Sequence, residues 1–497
     1  MLESLSDLLT TVNDFFYGSL LIVLLVGAGL WFTVRTWAVQ IRHFPKMIFA
    51  ALSSRDNDHG ISSFQAFAIG LASRIGTGNV AGVAIALTLG GPGAIFWMWV
   101  VAFFGMATAF VEATLAQVFK VRWHDGTFRG GPAFYMQRAL GWRPMGIAFA
   151  IFLIFAFGIA FNMVQANTIS ETLSTSHGVP SWVTALVLFA ITAPILFGGI
   201  RRVARITEWL APLMALAYVI LAVVIIVTNL SEVPAAIGMI FRGAFGLDEA
   251  LAGTAGGMLA ALLNGARRGL FSNEAGMGSA PNAAATSTVK HPVQQGYLQS
   301  LGVFVDTMLV CTATATIILL SSPEVYTPGV TADAAGAALT QTAVADSLGA
   351  WTTIPMTIII FVLAYSSVLG NYTYAEVNTD FLSGTRTSTI VLRCLVIASV
   401  IIGALAKLGL VWSIADVAMG LMATTNLIAL FLVGKWAIGA LKDYERSIRA
   451  GDDNPGFLGK GNPLLPGDVP GDVWTQPDGV PYAHEGEKLT PKQLREG

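Results

Sequence analysis

Charge is scarce in this sequence: 12% of its 497 residues are Asp, Glu, Lys or Arg, about half of the roughly 25% usual in a soluble domain. That scarcity excludes an ordinary soluble fold. Net basicity is lacking too, since a formal charge of −2 offers nucleic acid no positive face. Only two cysteines occur, Cys311 and Cys394, both inside apolar stretches, where a thiol is expected to pack as a small hydrophobe rather than to pair. The histidines, His43, His59, His124, His177, His291 and His484, all fall in connectors or in the C-terminal segment. This leaves none for an H-E-x-x-H or Ser/His site within the apolar stretches, and no G-x-x-x-x-G-K-[ST] run is present. Both absences count against an intramembrane enzyme and against an ATP-driven pump working alone. No Lys or Arg precedes Arg35, whereas Glu3 and Asp7 do, the wrong charge for the start of a cleavable signal peptide. The first apolar stretch is expected to be retained.

What is abundant is hydrocarbon. Hydrophobic residues make up 54% of the chain, and apolar runs of about 20 residues, the length that crosses a bilayer, recur from Phe15 to Ala440. Bounded by charge, Pro, Gly or polar clusters, they predict an all-α polytopic membrane protein with 11 transmembrane helices near 15–35, 62–90, 93–119, 145–172, 180–199, 206–229, 253–289, 296–320, 352–382, 387–406 and 411–441. With the N-terminus outside, six of the 28 basic residues lie in spans (Arg35, Arg74, Arg267, Arg268, Arg393, Lys435) and two, Arg242 and Lys407, lie outside. The remaining 20 fall in cytoplasmic connectors and the C-terminal segment, as the positive-inside rule requires. The C-terminus is therefore expected in the cytoplasm. From Lys442 the composition shifts to Pro, Gly, Asp and Glu, which reads as a disordered tail.

Two spans carry polar sequence where lipid-facing helix would carry Leu and Val. The second holds Ser73-Arg74-Ile75-Gly76-Thr77-Gly78-Asn79-Val80-Ala81-Gly82, and the seventh holds Ser272-Asn273-Glu274-Ala275-Gly276-Met277-Gly278-Ser279-Ala280-Pro281. Irregular backbone is tolerated at membrane depth only where protein buries it or it lines a wet cavity, so both segments are expected to be unwound. Spans two to six and seven to eleven form two groups of five, and an odd number per group inverts one relative to the other. Interrupted segments at matching places in inverted halves point to a transport site between them, where half-helix N-termini attract a carboxylate and freed oxygens hold a cation. The expected division is 1–60 for an extra helix and a basic connector, 61–229 and 230–441 for the two repeats, and 442–497 for the tail. Gly90, Gly91, Gly105, Gly256 and Gly257 are read as close-packing positions.

Around these residues the sequence resembles the alanine or glycine:cation symporter family, the sodium:alanine symporters. The likeness is carried by Gly90-Gly91-Pro92-Gly93-Ala94-Ile95-Phe96-Trp97-Met98-Trp99, closed by Gly105, by Gly130-Gly131-Pro132-Ala133-Phe134-Tyr135, and by Arg268-Gly269-Leu270-Phe271-Ser272-Asn273-Glu274-Ala275-Gly276. It implies the leucine-transporter fold, a 5+5 inverted repeat here preceded by one extra N-terminal helix. It also implies import of a small neutral amino acid, alanine or glycine, with Na⁺ across the cell inner membrane by alternating access, with no obligatory protein partner. Carried over by position, the resemblance puts substrate against Thr77, Gly78 and Asn79, Gln165 of the fourth span, Gly276 and Met277 of the seventh, and Ser367 and Asn371 of the ninth. The i,i+4 spacing of Ser367 and Asn371 sets them on one helical face. Na⁺ is implied at the carbonyls of Ala72, Ile75 and Leu363 and the side chains of Ser366 and Ser367, a neutral oxygen set that suits a hard cation. Asn371 departs from the Trp that many members carry, freeing volume and adding a donor and an acceptor. Glutamine is thereby a second candidate substrate.

Arg74, Glu112, Arg267, Arg268, Glu274, Asp306 and Glu376 lie within or near the spans, and ionisable groups there are functional candidates by default. An Arg74–Glu274 ion pair would join the two broken helices. Proton transfer by Glu112 or Asp306 would make H⁺ the coupling ion, although structural pairing is the expectation for both. A channel would use broken helices as well, but an inverted repeat favours rocking about an occluded site.

Overall fold

The computed structural model describes residues 11–13, 15, 16, 20–53, 61–124, 126–198, 200–247, 257–330, 336–476, 490, 493 and 494. The expectations for Glu3, Asp7, Arg55, His59, Gly256, His484 and most of the chain beyond 476 lie outside these residues. Apart from one antiparallel hairpin, Val121–Arg122 with Phe128–Arg129, and an isolated bridge between Ile61 and Ser287, the regular structure is helical. Among the described residues, six helices are long and apolar enough to cross a membrane: Gly93–Val118, Arg143–His177, Pro292–Leu319, Ala350–Leu382, Arg386–Leu405 and Leu408–Arg449. Two bent pairs pass the same test together, Ser63–Arg74 with Gly78–Gly90 at 44° and Leu213–Thr228 with Val233–Ala244 at 107°, giving up to 8 candidate spans. Leu21–Arg35 and Ser181–Leu196 are shorter apolar helices. The chain is a multi-pass membrane protein.

Burial is inverted relative to a soluble protein. Leu186, Val223, Ile354, Val391 and Leu432 face outward, while Asn79, Asn162, Asp306, Asn371 and Asn426 are fully buried. Lipid solvates apolar side chains as well as a protein core does, so what sorts these residues is the need of polar groups for partners. Small residues allow the close approach this demands. A Cβ on Gly105 would lie 2.9 Å from that of Ala275, so the packing role expected of Gly105 matches the structure. The thiols divide: Cys311 is buried and Cys394 is exposed, and neither is bonded to another cysteine. Helix Arg386–Leu405 buries a stripe that includes Leu392, Val396, Val400 and Gly403, and Cys394 lies off it, so the expectation of two packed thiols is corrected for Cys394.

The expectation of disorder from Lys442 onward is also corrected for the described part. Helix Leu408–Arg449 continues past it, and residues 450–476 fold back as a strap over the adjoining end of the molecule. Phe457, Val469, Val473 and Trp474 are buried. Trp474 Nε1 donates to the Gln117 carbonyl (3.0 Å), Arg122 Nη1 to Asp472 Oδ1 (2.7 Å) and Arg138 Nη2 to the Pro470 carbonyl (2.6 Å). Buried Lys120 donates to the Ser287 carbonyl (2.7 Å) and sits over the rings of Phe128 (4.1 Å) and Trp474 (5.0 Å). Burial, and then neighbouring Arg122, hold its ammonium well below the ordinary lysine range. Mean composition suggests disorder, but a few spaced apolar anchors suffice when the surface that receives them is already ordered. Trp474→Ala is expected to cost about 3 kcal/mol, read as a lower thermal midpoint of the detergent-solubilised protein with insertion unchanged. An unaltered midpoint would mean that the strap contributes nothing to stability.

Candidate functional site

Ser62 opens the first broken helix with a capping box: its hydroxyl accepts from the Gln65 N–H (3.1 Å) and Gln65 Oε1 accepts from the Ser62 N–H (3.0 Å). The helix stops at Ile75, whose backbone is extended (φ −76°, ψ 91°), and resumes through a wide π turn at Gly78–Gly82. Side chains replace the missing backbone partners. Asn79 Oδ1 accepts from the Gly76 N–H (2.8 Å), and Gln165 Oε1 accepts from both the N–H (3.2 Å) and the hydroxyl (2.5 Å) of Thr77. Ser367 Oγ donates to the Ala72 carbonyl (2.9 Å) and lies 3.2 Å from that of Leu363. A β-carbon on Gly76 would strike Ser367 Oγ, and one on Gly78 would come within 2.9 Å of Ser272 Cα. Glycine is required here for close approach.

The second broken helix, Gly257–Asn273 followed by Ala280–Ala285, unwinds at Glu274, whose φ of 58° is left-handed. Ser73 Oγ lies 2.7 Å from Glu274 Oε1, and Ser279 Oγ lies 2.6 Å from Oε2. The Ser73 hydroxyl is also 2.8 Å from Asn371 Oδ1, and the Asn371 amide donates to Asn162 Oδ1 (3.0 Å). One hydroxyl proton therefore faces two acceptors. Beyond the first break, Asp306 accepts from Asn79 Nδ2 (2.6 Å), Ser272 Oγ (2.9 Å) and Thr307 Oγ1 (2.7 Å). Cys311 Sγ is 3.3 Å from Asn79 Nδ2 and 3.2 Å from Ser272 Oγ, so this buried thiol borders the polar cluster as well as the core. Asp306 and Cys311 lie in another π turn, Phe304–Cys311, a local widening often found at functional sites. The two breaks are thus stitched together by buried hydrogen bonds.

Glu112 and Asn426 attend to the rest of the second break. The Gly276 N–H donates to Glu112 Oε2 (3.0 Å) and its carbonyl accepts from Asn426 Nδ2 (3.0 Å). Asn426 is itself hydrogen-bonded to Glu112 and to Tyr135. The Arg74–Glu274 ion pair that their charges would allow is not formed: Arg74 Nη1 donates to the Gln299 carbonyl (3.2 Å) and two serines meet the carboxylate.

Aromatic rings and ion pairs flank this cluster. Phe161 and Phe271 stack at 4.4 Å, with Trp412 4.5 Å from Phe271. Arg268 Nη2 reaches both oxygens of Asp416 (2.7 and 2.5 Å), and its guanidinium lies 4.6 Å from the Trp412 ring centre. A second buried pair joins Arg129 Nε to Asp380 Oδ2 (2.6 Å). The pairs belong to opposite ends: Asp416 stands about 30 Å along its helix from Trp436, against which Phe119, next to the hairpin of Arg129, packs at 5.1 Å.

Of the residues expected to meet substrate, Thr77, Gly78, Asn79, Gln165, Ser367 and Asn371 gather around the first break. Gly276 and Met277 are buried at the second, but among the described residues no hydrogen bond joins them to that cluster; Gly276 is drawn to Glu112 and Asn426, between Leu25 and Leu427. Among the expected cation ligands, the Ala72 and Leu363 carbonyls converge on Ser367 Oγ, Ile75 forms the break, and Ser366 Oγ turns back to the Leu363 carbonyl (2.9 Å). Sequence reasoning missed Ser73, Asn162, Ser272 and Asp416. Asn162 precedes Gln165 by one helical turn, a spacing visible in the sequence, whereas Asp416 stands out there only as an acid in an apolar span.

Residues 2–458 match the sodium:alanine symporter family. A probable sodium/glutamine symporter of Bacillus subtilis, GlnT, is 44% identical over 91% of this chain and 93% of its own, and the amino-acid carrier protein AlsT of the same organism is 45% identical over 93% and 97%. Among solved structures, that of MhsT in complex with L-phenylalanine superposes with a TM-score of 0.58 at 15% identity, covering 78% of this chain and 93% of that one, a likeness of fold alone. Removing one member of the Arg268–Asp416 pair strands a buried charge, so Arg268→Ala and Asp416→Ala are each expected to cost about 3–5 kcal/mol. The R268A/D416A double variant should cost clearly less than their sum in thermal unfolding, and additive losses would refute direct coupling.

Proposed function

Because the chain belongs to the sodium:alanine symporter family, we propose that it is a secondary carrier that imports a small neutral amino acid together with Na⁺. The observation that carries this reading is the pair of helix breaks joined by buried polar side chains and flanked by the buried ion pairs Arg268–Asp416 and Arg129–Asp380. In our reading the described helices, with Gly257–Ala285 counted as one broken span, make eleven crossings: one extra helix and a 5+5 inverted repeat, divided at about residues 60, 229 and 441. The N-terminus faces outward and the C-terminus the cytoplasm, in the cell inner membrane.

The mechanism follows from what each group can exchange. The N–H groups of Gly76 and Thr77 open the resumed half-helix, and Asn79 and Gln165 occupy them. A substrate carboxylate is a stronger, charge-assisted acceptor and takes over at that half-helix N-terminus, freeing the two amide side chains to contact the ligand. Na⁺ is received by the Ala72, Ile75 and Leu363 carbonyls with Ser366 and Ser367, whose hydroxyls already lie on two of those oxygens. Its charge attracts the carboxylate, and the coupling is reciprocal, each solute tightening the other by the same factor. Arg268–Asp416 with Phe161 and Phe271 acts as the outer closure and Arg129–Asp380 as the inner one. Opening one at a time gives alternating access.

Alanine and glycine are the first candidates. Glutamine is favoured by a specific position, Asn371, whose amide reaches both Ser73 and Asn162, and by the likeness to a probable glutamine symporter. In reconstituted vesicles, an inward Na⁺ gradient should drive uphill uptake of labelled substrate, and Gln165→Ala or Asn79→Ala should reduce it at least roughly tenfold, the size of a lost buried polar contact. Uptake that ignores Na⁺, or that only follows the solute's own gradient, would overturn symport. Asn371→Trp should lower glutamine uptake relative to alanine by roughly tenfold or more; a wider substrate range would reject the role given to that residue.

A further inference from the structure

Near the strap lies a cleft that transport does not use. It opens between the turn that follows Leu21–Arg35 and the last turns of Leu408–Arg449, has a volume of about 560 Å³, and is lined by Trp37, Arg42, Lys442, Glu445, Arg446 and Arg449. Four of these side chains are cations. The one carboxylate is already engaged: Glu445 Oε1 meets Arg42 Nη2 (2.7 Å) and His43 Nε2 (3.0 Å), and Oε2 meets Arg449 Nη2 (3.4 Å). Lys442 and Arg446 are exposed, and neither forms an ion pair among the described residues. Positive charge is left over.

One wall of the cleft is held rigidly. Trp37 and Ala38 are both left-handed (φ 54° and 52°), a strained conformation that persists in L residues only where the surroundings over-determine it. Arg42 supplies the restraint, with Nε donating to the Trp37 carbonyl (2.7 Å) and Nη2 to that of Thr36 (3.0 Å). The turn holds the Trp37 side chain 79% exposed at the rim. Just beyond it, Ile41, Phe49 and Leu52 are 60%, 71% and 68% exposed, the last two on the short helix Phe44–Ser53, whose Met47 faces inward. Cations, then an indole, then outward hydrocarbon is the order of surfaces that meets a bilayer at its head groups.

We propose that this cleft binds the phosphate head group of an anionic glycerophospholipid, with Lys442, Arg446 and Arg449 as its cationic contacts and Trp37 against the glycerol region. A zwitterionic lipid would bring its own ammonium into a site already holding four cations. A soluble phosphate would satisfy the charge but leave the apolar rim uncovered. The proposal rests on the multi-pass reading and not on transport, so a failed binding test and a failed uptake test are separate results.

The test uses the purified, delipidated full chain in detergent, titrated with dioleoyl phosphatidylglycerol, dioleoyl phosphatidylcholine or inorganic phosphate and followed by native mass spectrometry and thermal shift. Phosphatidylglycerol should bind at least roughly tenfold tighter than phosphatidylcholine, and K442Q/R446Q/R449Q should weaken it roughly 100-fold, as expected for three interfacial cations. If the triple variant does not fold, Arg446→Gln alone should weaken it roughly fivefold. R35Q/K46Q, which removes two neighbouring cations outside the cleft, should leave binding unchanged. Equal binding of the two lipids, an unchanged affinity in the cleft variants, or an equal loss in R35Q/K46Q would overturn the site, and equal stabilisation by inorganic phosphate would overturn its assignment to lipid.

Discussion

A helix that stops inside a bilayer strands backbone N–H and C=O groups, each costing several kcal/mol where no water can reach. Much of the interior of this protein answers that constraint. Asn79 and Gln165 take the donors freed at Gly76 and Thr77, Ser367 takes the Ala72 carbonyl, and Glu112 and Asn426 take the two sides of Gly276. These side chains come from different helices, so the breaks bind the bundle together where they would otherwise weaken it. Groups that satisfy backbone can hand it over to a ligand of the same chemistry, and the proposed solute site draws on this same set of residues for that reason.

The broad architecture was legible in the sequence because lipid imposes a length and a composition on every crossing. Both breaks were legible for the converse reason: Gly76 to Asn79 and Asn273 to Gly278 violate that composition. Partner choice was not. Arg74 and Glu274 have the charges for a pair, yet Arg74 donates to the Gln299 carbonyl and the Glu274 carboxylate meets two hydroxyls, so opposite charge in two neighbouring segments did not identify the partners. Asp416 illustrates the opposite failure. Its partner Arg268 lies 148 positions away, and separation of that size carries no local pattern. The strap was misread because an averaged composition dilutes Phe457, Val469, Val473 and Trp474, whose effect depends on the surface they meet.

Ser73 shows how finely the cluster is balanced. Its hydroxyl has one proton and two acceptors, Glu274 Oε1 and Asn371 Oδ1, so satisfying one leaves the other short unless something else supplies a donor. An amino acid's ammonium group has three donors. Surplus acceptors beside two occupied amide N–H groups are the features on which the proposed amino-acid site rests.

The strap closes over a hairpin made long before it. Trp474 seals against Gln117 across 357 positions, and Asp472 reaches Arg122 across 350. At ribosomal speeds of about 5–20 residues per second, the hairpin waits roughly 20 to 70 s for its cover. Throughout that interval Lys120 lacks the indole that later lies over it, leaving a partly uncovered basic loop on the nascent chain. The last part of the fold to be fastened is therefore an early part of the sequence, and a chain cut short before Asp472 would have crossed the membrane many times yet remain unlatched at one end.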